Sequence, residues 1–124
     1  MKTTQEVANR LLELCNSFQF DTAIEELYSD NITSREPNGA MIEYLEGKEA
    51  VIEKGKQFND MVEEFHGFET SEAIVAGNHF SVRMKMDITM KGGPRSAMEE
   101  IALYEVKEGK IVSEQFFYEV PPKE

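Results

Sequence analysis

From Phe80 to Met90 every second residue is apolar: Phe80, Val82, Met84, Met86, Ile88 and Met90, with Ser81, Arg83, Lys85, Asp87 and Thr89 between them. A period of two over such a length suits a strand, because successive strand side chains point to opposite sides of a sheet. The segment therefore predicts a long strand with one buried face. Half of that face is methionine. Methionine is flexible and adapts to irregular neighbours, so this face fits a cavity wall as well as it fits ordinary core filling.

The chain has 124 residues, 40% of them hydrophobic, which is enough for one domain with a real core, and no shift in composition divides it. One domain over residues 1–124 is the expectation. With 24 acids against 13 bases the net charge is −11. Such a surface repels phosphate backbones and anionic lipid headgroups, so neither nucleic acid nor a membrane is expected as a partner. Cys15 is the only cysteine, which excludes a disulfide framework and a thiolate metal cluster. The opening Met1-Lys2-Thr3-Thr4-Gln5-Glu6 lacks the apolar stretch of a secretion signal, and a cytoplasmic location is expected.

Helical patterns occupy the first half. Thr3-x-x-Glu6 has the form of a capping box, and Val7, Leu11, Leu14 and Phe18, flanked by Ala8, Leu12 and Cys15, recur at helical spacing. These predict an amphipathic helix over about residues 4–17. Asp21 is placed to cap a second helix carrying Ile24, Leu27 and Tyr28, ended by the turn-forming Ser29-Asp30-Asn31. An extended segment from Ile32 to Glu36 follows, since Pro37 disfavours helical backbone at Glu36. After Gly47 a third helix is predicted over about residues 48–65, with Val51, Phe58, Met61, Val62 and Phe65 as its apolar stripe. Gly55 lies on that side, where a glycine is expected to permit close packing.

The second half is punctuated like a series of antiparallel hairpins. Ala76-Gly77-Asn78 separates a strand of about residues 68–75 from the Met-rich strand, which Lys91-Gly92-Gly93-Pro94 ends. Glu108-Gly109-Lys110 then sits between Met98–Val106 and Ile111–Val120, and Pro121-Pro122 reads as an exposed tail. Three helices followed by four strands predict an α+β domain with helices on one face of a curved, mainly antiparallel sheet.

Three stretches carry a family likeness: Phe20-Asp21-x-x-Ile24-x-x-Leu27-Tyr28-x-Asp30-Asn31, Gly47-Lys48-Glu49-Ala50-Val51, and Gly109-Lys110-Ile111 followed by Phe116-Phe117-Tyr118. Together with the order of elements they resemble the SnoaL-like and ketosteroid-isomerase-like members of the nuclear-transport-factor-2-like superfamily. The resemblance implies a cone-shaped α+β barrel whose concave sheet face and helices enclose a mainly apolar pocket. It implies no single activity, since isomerases, cyclases, dehydratases and binding modules share the fold.

Polar residues facing such a pocket would carry the chemistry. Ile32, Ser34 and Glu36 share one side of an extended segment, and Arg35-Glu36-Pro37 resembles the setting of the carboxylate base in steroid isomerases. A buried carboxylate there would serve as general base next to a carbonyl, and a solvated turn acid is the alternative. The donors that a steroid isomerase uses fall on Leu12 or Cys15 and on Ile101 or Ala102, which cannot donate as a tyrosine or a protonated acid does; this departs from steroid isomerisation itself. Tyr118 and Glu114 share a strand parity with Phe116, while Tyr104 and Glu100 share one with Ala102. His66 lies where the third helix gives way to a strand, and His79 opens the Met-rich strand. No metal-ligand spacing, nucleophile elbow or phosphate-cradling glycine loop is present, so no metal or cofactor is expected.

Two function classes follow. One is a pocket protein that binds a small hydrophobic molecule without chemistry. The other is a cofactor-independent isomerase, cyclase or lyase acting on a hydrophobic carbonyl compound. Its candidate catalytic residues are Glu36, Tyr118 and His66, and the expected pocket lining is Val82, Met84, Met86, Glu100, Tyr104, Glu114 and Phe116. A homodimer is also expected, because the outer parity of the last two strands carries Ile101, Leu103, Ile111 and Phe117.

Overall fold

The computed structural model describes residues 1–120 of the chain, so the Pro121-Pro122 tail lies outside the described residues. Helix α1 (Thr4–Asn16) begins at a reciprocal capping box. The Thr3 hydroxyl accepts from the Glu6 N–H at 3.1 Å, and the Glu6 carboxylate accepts from the Thr3 N–H at 2.9 Å. Its apolar face buries Val7, Ala8, Leu11, Leu14 and Cys15.

Helix α2 (Phe20–Leu27) runs into strand β1 (Tyr28–Arg35) with no loop between them. Tyr28 is therefore a strand residue, and Ser29-Asp30-Asn31 forms no terminating turn. Tyr28 opposite Ile111 and Thr33 opposite Ser113 anchor β1 on the last strand, and Ser29-Asp30-Asn31 lie in the irregularity between these pairs. Strand β2 (Tyr44–Glu46) pairs antiparallel with Thr33–Arg35 and has no signature in the sequence.

Helix α3 (Lys48–Met61) ends four residues before the expected boundary, because Val62–Phe65 already belong to strand β3 (Val62–Thr70). Val62 pairs with Met90 and Phe65 with Ile88, so these apolar residues extend a sheet and not a helical stripe. The expected strand over 68–75 is divided. Its first part closes β3, whereas β4 (Ile74–Ala76) pairs with the opposite end of the same neighbour, β5 (His79–Met90). Strands β6 (Arg95–Lys107) and β7 (Lys110–Phe117) complete the set, and β7 stops short of Val120. Their hairpin turns at Glu108 and Gly109, both at positive φ of 51° and 75°. Two successive left-handed residues give the turn whose twist matches the flanking strands, and glycine takes the second place without a side-chain penalty.

The main sheet has the order β2-β1-β7-β6-β5-β3 with β4 also on β5. Every pairing is antiparallel except that of β1 with β7. Strands β2 and β3 are its two edges, so the sheet curves around the helices without closing. One irregularity decides which residues face inward. Glu105 pairs with Ser113 but Val106 pairs with Ile111, leaving Val112 as an extra residue. Such a bulge reverses side-chain parity along the strand. Ile111 is consequently buried in the core with no exposed surface, not on the outer face where simple alternation puts it. Glu114 and Phe116 face inward on the other parity. Among the described residues no helix is long and apolar enough to cross a membrane.

Candidate functional site

Strand registers arrange the inward side chains in rows across the concave face. Ser34, Glu114, Tyr104 and Phe80 form one row, Phe116, Ala102 and Val82 the next, and Glu100 and Met84 a third. The parallel pairing of β1 with β7 is what sets Ser34 beside Glu114. Glu36 and Tyr118 lie one residue beyond the ends of β1 and β7, at the same end of the sheet.

Between these rows and the three helices is a cavity of about 190 Å³. Its apolar walls include Phe20, Phe68, Phe116, Met84 and Met86, and its polar groups are Tyr28, Lys54, Glu100, Tyr104 and Glu114. Six residues of the expected lining are therefore found there: Met84, Met86, Glu100, Tyr104, Glu114 and Phe116. Val82 points inward but is packed within the core, 2% exposed, and does not reach the cavity. Gly55 also lines it, and a β-carbon built on Gly55 would meet nothing within 4 Å. The glycine thus widens the cavity, contrary to the close packing expected of it.

A hydrogen-bonded network forms the polar end. Glu114, 3% exposed, accepts at one oxygen from the Tyr28 hydroxyl and at the other from the Ser34 hydroxyl at 2.7 Å. Lys54, reaching in from α3, donates to Ser34 Oγ at 3.0 Å and stands 3.9 Å from Glu114 Oε2. Its ammonium also lies 5.3 Å from the centre of the Phe116 ring, within cation–π range. A buried carboxylate is tolerated when its lone pairs are met in this way. The Phe80 and Tyr104 rings stack behind the network at 4.8 Å.

Glu36 and Tyr118 are not among the residues that line this cavity. Tyr118 donates to Glu36 Oε1 at 3.2 Å, while Glu36 Oε2 is buried with no hydrogen-bond partner among the described residues. Burial raises the Glu36 carboxyl above its ordinary range, against the lowering fields of Lys54 and the Tyr118 hydroxyl. Glu100 is pushed up to about 7, first by burial and then by the Glu36 and Glu114 charges. Burial and the adjacent Glu36 likewise push Tyr118 up to about 12. Tyr28 and Tyr104 are both held well above the usual phenol range, mainly by burial and then by Glu114. Burial drives the Cys15 thiol up to about 12, so this thiol on the cavity wall is an inert one. Among the described residues no three carboxyl, imidazole or thiol groups are placed to share a metal ion.

His66 is not part of this constellation. Its ring bonds Thr89 Oγ1 at 2.8 Å on one side and stands 3.0 Å from a Glu64 oxygen on the other, on strand β3. Lys54, Tyr28 and Ser34 also belong to the site, beyond the residues expected from the sequence. A signal for Lys54 exists: it follows Val51 by three residues and precedes Phe58 by four, so a cation stands within an apolar helical stripe. Tyr28 was hidden by its assignment to the end of a helix.

The chain matches the model of the SnoaL-like domain over residues 2–118. Among curated proteins no sequence matches it. Among solved structures, a candidate SnoaL-like polyketide cyclase from Mesorhizobium loti shares 35% identity at a TM-score of 0.89, covering 94% of this chain and 100% of that one. An NTF2-like protein of unknown function from Burkholderia pseudomallei superposes at a TM-score of 0.79 with 14% identity, covering 96% and 92%. TerC, co-crystallised with polyporic acid, does so at 0.77 with 11% identity, covering 94% and 92%; these two likenesses concern the fold alone. With a family match across nearly its whole length and a relative above 30% identity, the chain belongs to the SnoaL-like domain family within the NTF2-like fold.

Proposed function

We propose that this protein binds a small, mainly apolar molecule in the cavity between its helices and the concave face of its sheet. The observation that carries this reading is a 190 Å³ space walled by aromatic rings and methionines with polar groups gathered at one end. An apolar cavity of about 150 Å³ accommodates benzene, so the size favours a compound of one ring over a polycyclic one. Gly55 provides the test, because a side chain placed there enters open space. Added toluene is expected to shift the methyl resonances of Met84 and Met86 in the native chain. Gly55→Leu is expected to fill the cavity and weaken that binding at least tenfold, while stabilising α3 by up to about 1 kcal/mol. Methyl signals that stay put at saturating toluene would remove the proposal.

A second reading is favoured by the orphaned Glu36 Oε2. Here Glu36 acts as general base on a carbonyl compound, with Tyr118 orienting it and Tyr104, Glu100 or Lys54 nearby as hydrogen-bonding groups. The Mesorhizobium loti relative, a candidate polyketide cyclase, supports this class of reaction. Glu36→Gln then lowers turnover by roughly a hundredfold and leaves ligand binding intact. Its raised pKa adds a second expectation. The neutral acid favours the folded state at low pH and the anion costs stability as pH rises, so Glu36→Gln is expected to stabilise the fold near neutral pH. A carboxyl titration of Glu36 at or below the ordinary value would leave the binding reading alone.

We further propose a homodimer through the outer sheet face. Ile101 and Phe117 are exposed there at 52% and 48%. The surface groove they line also touches Glu100 and Tyr118, so pairing would occur beside the polar end of the cavity. Sedimentation at micromolar concentration is expected to give twice the 14.2 kDa chain mass, and Ile101→Arg to return the monomer. A native chain that sediments only as a monomer would contradict the dimer.

A further inference from the structure

We infer that the cavity takes a small organic amine, whose ammonium group pairs with the Glu100 carboxylate while its apolar body lies among the aromatic rings and methionines; this ligand class rests on the binding reading above. Two acids, Glu100 and Glu114, and one base, Lys54, line the cavity. Tyr28, Tyr104 and the Cys15 thiol are held neutral by their burial. The lining therefore carries an excess of negative charge.

That excess is localised by the hydrogen bonds. Lys54 donates to Ser34 Oγ at 3.0 Å and stands 3.9 Å from Glu114 Oε2, under the Phe116 ring. Glu114 is also met by the Tyr28 and Ser34 hydroxyls. Glu100 has neither a hydrogen bond nor an ion pair among the described residues, although it lines the same space. Lys54 and Glu114 thus satisfy each other within the protein, and the unpaired charge is that of Glu100.

Strand register sets Glu100 opposite Met84 and one inward position from Ala102, which faces Phe116. Phe20 and Phe68, edge to face at 5.0 Å, wall the same cavity. A carboxylate left without a partner in such surroundings is costly, and a ligand ammonium supplies the missing partner through a charge-assisted hydrogen bond. Aromatic ring faces favour the same positive charge. A neutral ligand leaves Glu100 unpaired. An anionic ligand adds like charge, and to reach the only cation of the lining it has to take Lys54 from Ser34 and Glu114. The net charge of −11 over the whole chain also draws cations towards the protein.

Binding of four one-ring probes, toluene, benzyl alcohol, benzylamine and benzoate, tests the assignment near pH 8. There an aliphatic ammonium keeps its proton, and Glu100, pushed up to about 7, is mostly ionised. Shifts of the Met84 and Met86 methyl resonances report binding inside the cavity, so amine collected on the acidic surface does not register. Benzylamine is expected to bind roughly tenfold or more tightly than benzyl alcohol, its neutral counterpart of the same size, with benzoate the weakest. In Glu100→Gln the preference for benzylamine over benzyl alcohol is expected to disappear. Bound to the native chain, the benzylamine methylene is expected to show a nuclear Overhauser contact to the Glu100 side chain, which decides the matter if Glu100→Gln fails to fold. Equal affinities for benzylamine and benzyl alcohol, a preference for benzoate, a missing Glu100 contact, or a preference that survives in folded Glu100→Gln each overturn the amine assignment and leave the cavity a binding site. If none of the four probes moves the methyl signals at saturation, the binding reading itself falls, and the amine assignment with it.

Discussion

Glu114→Ala is expected to lower the free energy of unfolding by about 3 kcal/mol at neutral pH. The substitution removes the acceptor for two hydroxyls and the counter-charge for Lys54 while leaving all three donors in place. Deleting one partner of a buried charge network typically costs roughly 3–5 kcal/mol, because the groups left behind lose their compensation. The Lys54 side chain is 23% exposed and can recover some hydration, which places the loss at the lower end of that range. Urea denaturation with an unchanged m-value reads it directly. A loss below about 1 kcal/mol would mean that the network adds little to stability.

The second large effect depends on pH. Glu100 moves from an ordinary 4.5 to about 7 in the folded state, chiefly through burial. Between those values the folded chain binds more protons than the unfolded one, so stability falls as pH rises through the window and levels off above it. A displacement of that size corresponds to about 3 kcal/mol when fully expressed. Glu100→Gln cannot ionise, and it is expected to remove this slope. The variant should match the native chain near pH 4 and exceed it near pH 8, by roughly 10 °C in melting temperature for a chain of this length. Thermal melts across that range are the measurement. Parallel pH profiles for the two proteins would show that Glu100 titrates normally.

Local periodicity accounts for much of what was legible. The capping box at Thr3, the buried stripe of α1 and the Met-rich strand are written within short windows, where side-chain direction follows from sequence position. Boundaries were less legible. Val62–Phe65 carry an apolar pattern that fits a helix and a strand equally, and the partner strand decided between them. Ser29-Asp30-Asn31 reads as a turn by composition, yet it lies within β1, in the irregularity between the paired Tyr28 and Thr33. Of the site, Met84, Met86, Glu100, Tyr104, Glu114 and Phe116 were within reach because strand parity placed them on one face. Lys54 is legible only as a cation within the apolar stripe of α3, and its part in the site comes from where that helix crosses the sheet.

By itself the sequence determined the helices, the hairpin order and the family to which the chain belongs, because those depend on neighbours within a few positions. Tertiary structure alone decided that β1 joins β7 in parallel, setting Ser34 beside Glu114, and that Val112 bulges, turning Ile111 inward on the same side as Glu114 and Phe116. It also decided that Lys54 meets Ser34 and Glu114 at the polar end of the cavity. Pairings between residues some eighty positions apart leave no periodic trace in the chain. Charge and burial, which set the proton affinities of Glu36 and Glu100, exist only once those pairings have formed.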